Sequence, residues 1–142
     1  MADAWSSVAS WLHGGSTATV ARVCLVLMFP FSAVDKVLHW ADAMKQASSS
    51  FVPARLAPLL LVAGMAIEIA APVCIVSGWQ AEPAAFLLAI YCAVTALMFH
   101  AFWCYGDFWA QGASVARSHF WDFTKNFGLV GGLLLVALGR GF

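Results

Sequence analysis

From Leu56 the chain reads LAPLLLVAGMAIEIAAPVCIVS, ending at Ser77, and the one charged side chain in that run is Glu68. A helix needs roughly 20 mainly apolar residues to cross the hydrocarbon layer, so this stretch predicts a membrane span. Three further runs have the same character: Thr17–Val34, Pro83–Trp103 and Phe123–Leu138. Composition agrees, with 63% hydrophobic and 10% charged residues in 142, where a soluble domain carries about 25% charge. Nothing alternates with the ten-residue period of barrel strands, and open sheets cannot sit in lipid. The expected fold is therefore all-α, an antiparallel four-helix transmembrane bundle. Seven Lys and Arg balance seven Asp and Glu, which leaves no basic surface for nucleic acid.

Ahead of the first span, Trp5, Val8, Trp11 and Leu12 fall on one helical face, and Gly14-Gly15 follows. This predicts a short interfacial helix, dividing the chain into a segment at 1–16 and a bundle at 17–142. Arg22 before an apolar run has the outline of a cleavable leader, but Asp3, Trp5 and Trp11 ahead of it speak for retention. Lys36, Lys45 and Arg55 in the first loop, with Arg117 and Lys125 around the third, place both loops in the cytoplasm by the positive-inside rule. Cys24, Cys74, Cys92 and Cys104 form no Cys-x-x-Cys pair and read as small core residues.

The informative residues are the ionisable ones inside the spans, each costing roughly 2.5–3.5 kcal/mol at mid-bilayer on insertion scales. On helical geometry Arg22 and Lys36 share a face of span one, roughly 21 Å apart along the axis. Glu68 shares its face with Leu61, Gly64, Ala71 and Ile75, and lies near the membrane middle. It must pair across helices with Arg22, His100 or Lys36, or stay protonated. Antiparallel alignment brings Lys36, His39, His100, His119, Asp122, Lys125 and Asn126 to one side. Trp40, Phe99, Phe102, Trp103, Tyr105 and Phe120 crowd the same rim, which predicts a polar half-pocket walled by aromatic rings. Pro30 and Pro72 are expected to bend spans one and two, and Gly128 with Gly132 forms a Gly-x-x-x-Gly packing surface.

With these residues in place, the chain resembles the DoxX family of small four-span membrane proteins over about Ala21 to Gly139. The resemblance rests on Arg22, Lys36, Glu68, Thr95 through His100-Ala101-Phe102-Trp103, Phe123-Thr124-Lys125-Asn126 and Gly131-Gly132. Ala33 stands where such proteins often carry a glycine, and the aromatic stretch from Tyr105 to Trp121 is peculiar to this chain. The resemblance implies a multi-pass protein of the bacterial inner membrane. It also implies membrane redox work, as in a subunit resembling the DoxD part of thiosulfate:quinone oxidoreductase, or an accessory role in a larger complex.

The first function expected is a quinone-linked accessory subunit of a larger membrane oxidoreductase, embedded in the lipid bilayer. Glu68, His100 and Lys125 are its candidate proton relay. Arg22, Lys36, His100, Trp103 and Asn126 are its candidate quinone pocket. A variant uses two of His39, His100 and His119 as ligands of a b-type haem. A second class is a non-catalytic assembly subunit or chaperone, and a third is a small transporter with Glu68 and His100 as proton relay. Pairing of the bundle with itself stays open, as does catalysis. No nucleophile elbow, phosphate loop or metal-ligand spacing is present.

Overall fold

The computed structural model describes residues 6, 14–48 and 53–139, all helix, turn or irregular chain without strands. The helices are α1 (Gly15–Val26), α2 (Met28–Leu38), α3 (Trp40–Ser48), α4 (Ala57–Ser77), α5 (Ala81–Phe99) and α6 (Val115–Ala137). Short 3-10 turns cover Ala54–Leu56 and Phe102–Cys104. The expected interfacial helix falls outside the described residues apart from Ser6. Among the described residues three stretches are long and apolar enough to cross a membrane: Gly15–Leu38, Ala57–Ser77 and Ala81–Cys104. The fourth expected span lies within α6, which starts at Val115 rather than Phe123. The first half of α6 carries Arg117, Asp122 and Lys125, and its second half is apolar.

Local chemistry explains most boundaries. Pro30 has no N–H to offer the carbonyl of Val26 and its ring crowds that carbonyl, so span one loses a rung between α1 and α2, although Leu27 between them keeps helical angles. Pro72 sits inside α4 without ending it, but withholds the N–H that the Glu68 carbonyl would otherwise receive. α4 stops at Gly78, whose φ of 78° is left-handed and costs glycine nothing. α6 starts at Ser114, whose hydroxyl accepts from the Arg117 N–H at 3.1 Å, a side-chain N-cap.

The core joins the helices through Val26, Phe29, Ala71, Ile75, Ala85, Leu88, Ala89, Cys92, Leu133 and Val136. α5 packs chiefly on α6 and α4, while α2 and α3 lie against α4. Gly132 admits α1: a Cβ there would meet Leu25 Cδ1 at 2.9 Å. Many large apolar side chains point outward, among them Phe31, Leu59, Val62, Phe86, Ile90 and Leu97. An apolar outside over a small-residue inside suits a lipid solvent.

The connection from α5 to α6 is a tied strap. The Asp107 carboxylate accepts the Val115 N–H at 2.6 Å and the Ala116 N–H at 3.0 Å. These donors hold the Asp107 carboxyl below its usual value, Ala116 most of all. The Arg117 guanidinium donates to the carbonyls of Phe108, Ala110 and Gly112. Phe102 stands at the centre of an aromatic cluster, with ring centroids 5.1 Å from Trp103, 5.2 Å from Phe120 and 5.5 Å from Phe123. These rings pack on one another, while Phe99 of the same rim lines a cavity with Lys36, Tyr91 and Thr95.

Candidate functional site

The polar centre of the bundle is built on one oxygen. Glu68, 3% exposed, receives three donors at Oε1: Lys36 Nζ at 2.5 Å, Tyr91 Oη at 2.8 Å and Ser32 Oγ at 3.2 Å. Lys36 also donates to Ser32 Oγ at 2.7 Å. The i, i+4 spacing of Ser32 and Lys36 puts both on the face of α2 that meets α4. Tyr91 comes from α5, and Gly64 makes room for its ring, since a Cβ at Gly64 would lie 3.2 Å from the hydroxyl. Charge-assisted bonds in a dry interior are strong, and Lys36 neutralises the carboxylate. Glu68 Oε2 is buried without a protein partner.

A cavity of about 250 Å³ adjoins this cluster, under the amphipathic helix α3. Lys36, Tyr91 and Thr95 supply its polar wall, and Leu60, Ile67, Val94 and Phe99 are among its apolar ones. An ammonium has three N–H donors. Ser32 and Glu68 take two of those of Lys36, leaving one for the cavity that Lys36 lines.

The other sequence candidates go elsewhere. Arg22 lines a second cavity at the opposite end, with Gly78, Gln80 and Glu82. His100 ends α5 and faces His119, Nδ1 to Nδ1 at 3.4 Å, while Tyr105 stacks on His119 at 4.9 Å. His39 faces Asp35 at 2.9 Å in an exposed i, i+4 pair. Lys125, 72% exposed, meets Asp122 at 3.3 Å, and Asn126 donates to the Asp122 carbonyl. Trp103 packs edge-on against Phe102 and Phe123. Of the candidates named from sequence, the structure thus unites Lys36 with Glu68 and His100 with His119, and adds Ser32 and Tyr91 to the first pair. The i−4 relation of Ser32 to Lys36 and the small Gly64 on the Glu68 face were the signals available for those two. Among the described residues no three His, Cys, Asp or Glu side chains are grouped to hold a metal.

Comparison with known proteins places the chain. It is 26% identical over 119 residues to inner membrane protein YphA of Escherichia coli (strain K12), covering 84% of this chain and 79% of that protein. No solved structure matches it. The DoxX family model matches residues 17–101, which hold both partners of the buried Lys36–Glu68 pair and the Tyr91 that joins them. The chain belongs to the DoxX family.

Proposed function

We propose that the protein is a quinone-linked accessory subunit of a membrane oxidoreductase, with the ring of a quinone held in the cavity under α3. The observation that carries this reading is the Lys36 ammonium: it is fixed by Ser32 and Glu68 yet keeps a donor for a mostly apolar cavity. Ligand sites of this type combine greasy walls with a few placed polar groups. A bound quinone would supply two-electron, two-proton redox chemistry. Lys36 would donate to a ring carbonyl, and the Tyr91 hydroxyl would flank it. The second Glu68 oxygen, buried and unpartnered, would stand as a further acceptor close to the ammonium. Aromatic and aliphatic walls from Ile67, Val94 and Phe99 exclude water from these bonds. With no soluble domain among the described residues, electrons would come from the partner enzyme.

Equilibrium binding of a short-tailed quinone to the detergent-purified protein tests the reading. Lys36→Met should weaken binding about tenfold or more, the worth of a charged hydrogen bond, while Lys125→Ala should leave it unchanged. Absence of binding by the wild type, or equal binding by Lys36→Met, would reject it. A second reading, assembly subunit, draws on Gly128 and Gly131, where added Cβ atoms would meet nothing within 4 Å. Such an open small-residue strip suits another transmembrane helix, and a stoichiometric membrane partner that is lost in Gly128→Leu would support it.

A further inference from the structure

The cavity at the other end of the bundle carries two opposite charges that do not meet. It measures about 360 Å³ and is lined by Arg22, Gly78, Gln80, Ala81, Glu82 and Gly139, with Pro83 and Val136. The guanidinium lies against Gly78, where a Cβ would stand 3.5 Å from Nη1. The Glu82 carboxylate lies against Gly139, where a Cβ would stand 3.2 Å from Oε1. Both glycines are left-handed, with φ of 78° and 63°. Arg22 and Glu82 are not within ion-pair distance, and neither forms a hydrogen bond among the described residues. The Nε of Arg22 is buried without a partner.

A buried guanidinium donor left unmade is costly, and two facing opposite charges gain by bridging. The molecule that satisfies both has an anion at one end and a hydrogen-bonding cation at the other. A phosphate accepts bidentate donation from Arg. A primary ammonium donates to the Glu82 carboxylate and the Gln80 side-chain carbonyl. Depth supports the same chemistry. The cavity lies where α4 ends at Ser77 and α5 begins at Ala81, beside the 70% exposed Trp79, the level at which headgroups and aromatic anchors meet.

We infer that this cavity binds a phosphate ester bearing a primary ammonium, the phosphoethanolamine group, across Arg22 and Glu82. The site is independent of the one under α3.

Native mass spectrometry of the delipidated, detergent-solubilised full chain tests this with three probes of matched acyl chains: phosphatidylethanolamine, phosphatidylcholine and phosphatidylglycerol. The wild type should bind the ethanolamine lipid about tenfold better than the other two, the worth of a charged hydrogen bond. Choline has no N–H for Glu82, and glycerol has no cation. Glu82→Gln should erase the advantage over phosphatidylglycerol, and Arg22→Gln should weaken all three. Arg22→Lys, which keeps the charge but not the fork, should fall between and controls for misfolding. Free O-phosphoethanolamine that displaces the lipid would make a soluble ester the natural occupant, whereas no displacement would make it the lipid. Equal affinity of the wild type for the three lipids would overturn the inference. So would an unchanged order in both Glu82→Gln and Arg22→Gln with native helix content.

Discussion

Lys36 and Glu68 are 32 residues apart in the chain and 2.5 Å apart in the bundle. Lys36 keeps 24% of its side chain exposed and Glu68 4%, so the pair joins a partly open cavity to a closed interior. Removing one member strands the other. Lys36→Met should therefore cost about 3–5 kcal/mol, the usual penalty for a broken buried pair. Glu68→Gln should cost less, because its amide oxygen still accepts from Tyr91 and Ser32. The double variant Lys36→Met/Glu68→Gln should recover part of the loss. Unfolding midpoints in a fixed detergent would show the order.

Glycine contacts predict opposite signs for the same substitution. At Gly64 a methyl group would press on the Tyr91 ring at 3.2–3.3 Å, and Tyr91 cannot retreat without leaving Glu68. Gly64→Ala should destabilise by about 1 kcal/mol or more, as overpacking does. At Gly128 the space is open, and Gly128→Ala should stabilise by roughly 0.5–1 kcal/mol through helix propensity. Thermal shifts of the two single variants check the pair.

The α5–α6 strap should be acid-sensitive. Its Asp107 carboxyl sits below the ordinary value of 3.8, held there by the Ala116 and Val115 N–H groups. A depressed carboxyl contributes stability that is full above the unfolded value and disappears as pH falls through the lower folded one. Cleavage of the strap by an acid-stable protease should thus rise below the ordinary carboxylate range. Asp107→Ala should show the same susceptibility at neutral pH.

Lys125 and Asp122 form an exposed i, i+3 pair, and such pairs contribute about 0–1 kcal/mol. Lys125→Ala should shift the unfolding midpoint little, in contrast to Lys36→Met. The buried and the exposed lysine pair would then be separated by one measurement.

Three of the four expected spans were legible in the sequence, because lipid demands long apolar runs and the chain supplies them at Gly15–Leu38, Ala57–Ser77 and Ala81–Cys104. The sequence also marked Glu68 as a residue that needed a partner. It could not say which, since Arg22, Lys36 and His100 were all compatible with helical phase alone. The choice fell to Lys36 because α2 lies against α4, while Arg22 sits at the other end and His100 turns to His119. The aromatic run was read as a pocket wall. Of its rings, Phe99 lines the cavity under α3, whereas Phe102, Trp103, Phe120 and Phe123 pack on one another. Amphipathic α3 was missed because its nine residues lie below the length at which spans are sought.

Pro30 takes one rung out of the backbone ladder of the first membrane-crossing stretch, while Leu27 keeps helical angles, φ −53° and ψ −37°. Arg22 lies on one side of that gap, Ser32 and Lys36 on the other. The Val26 carbonyl is thereby left without its helical donor on the stretch of chain that joins the two polar ends, where a bend would cost least. Pro30→Ala would restore the rung and stiffen that stretch.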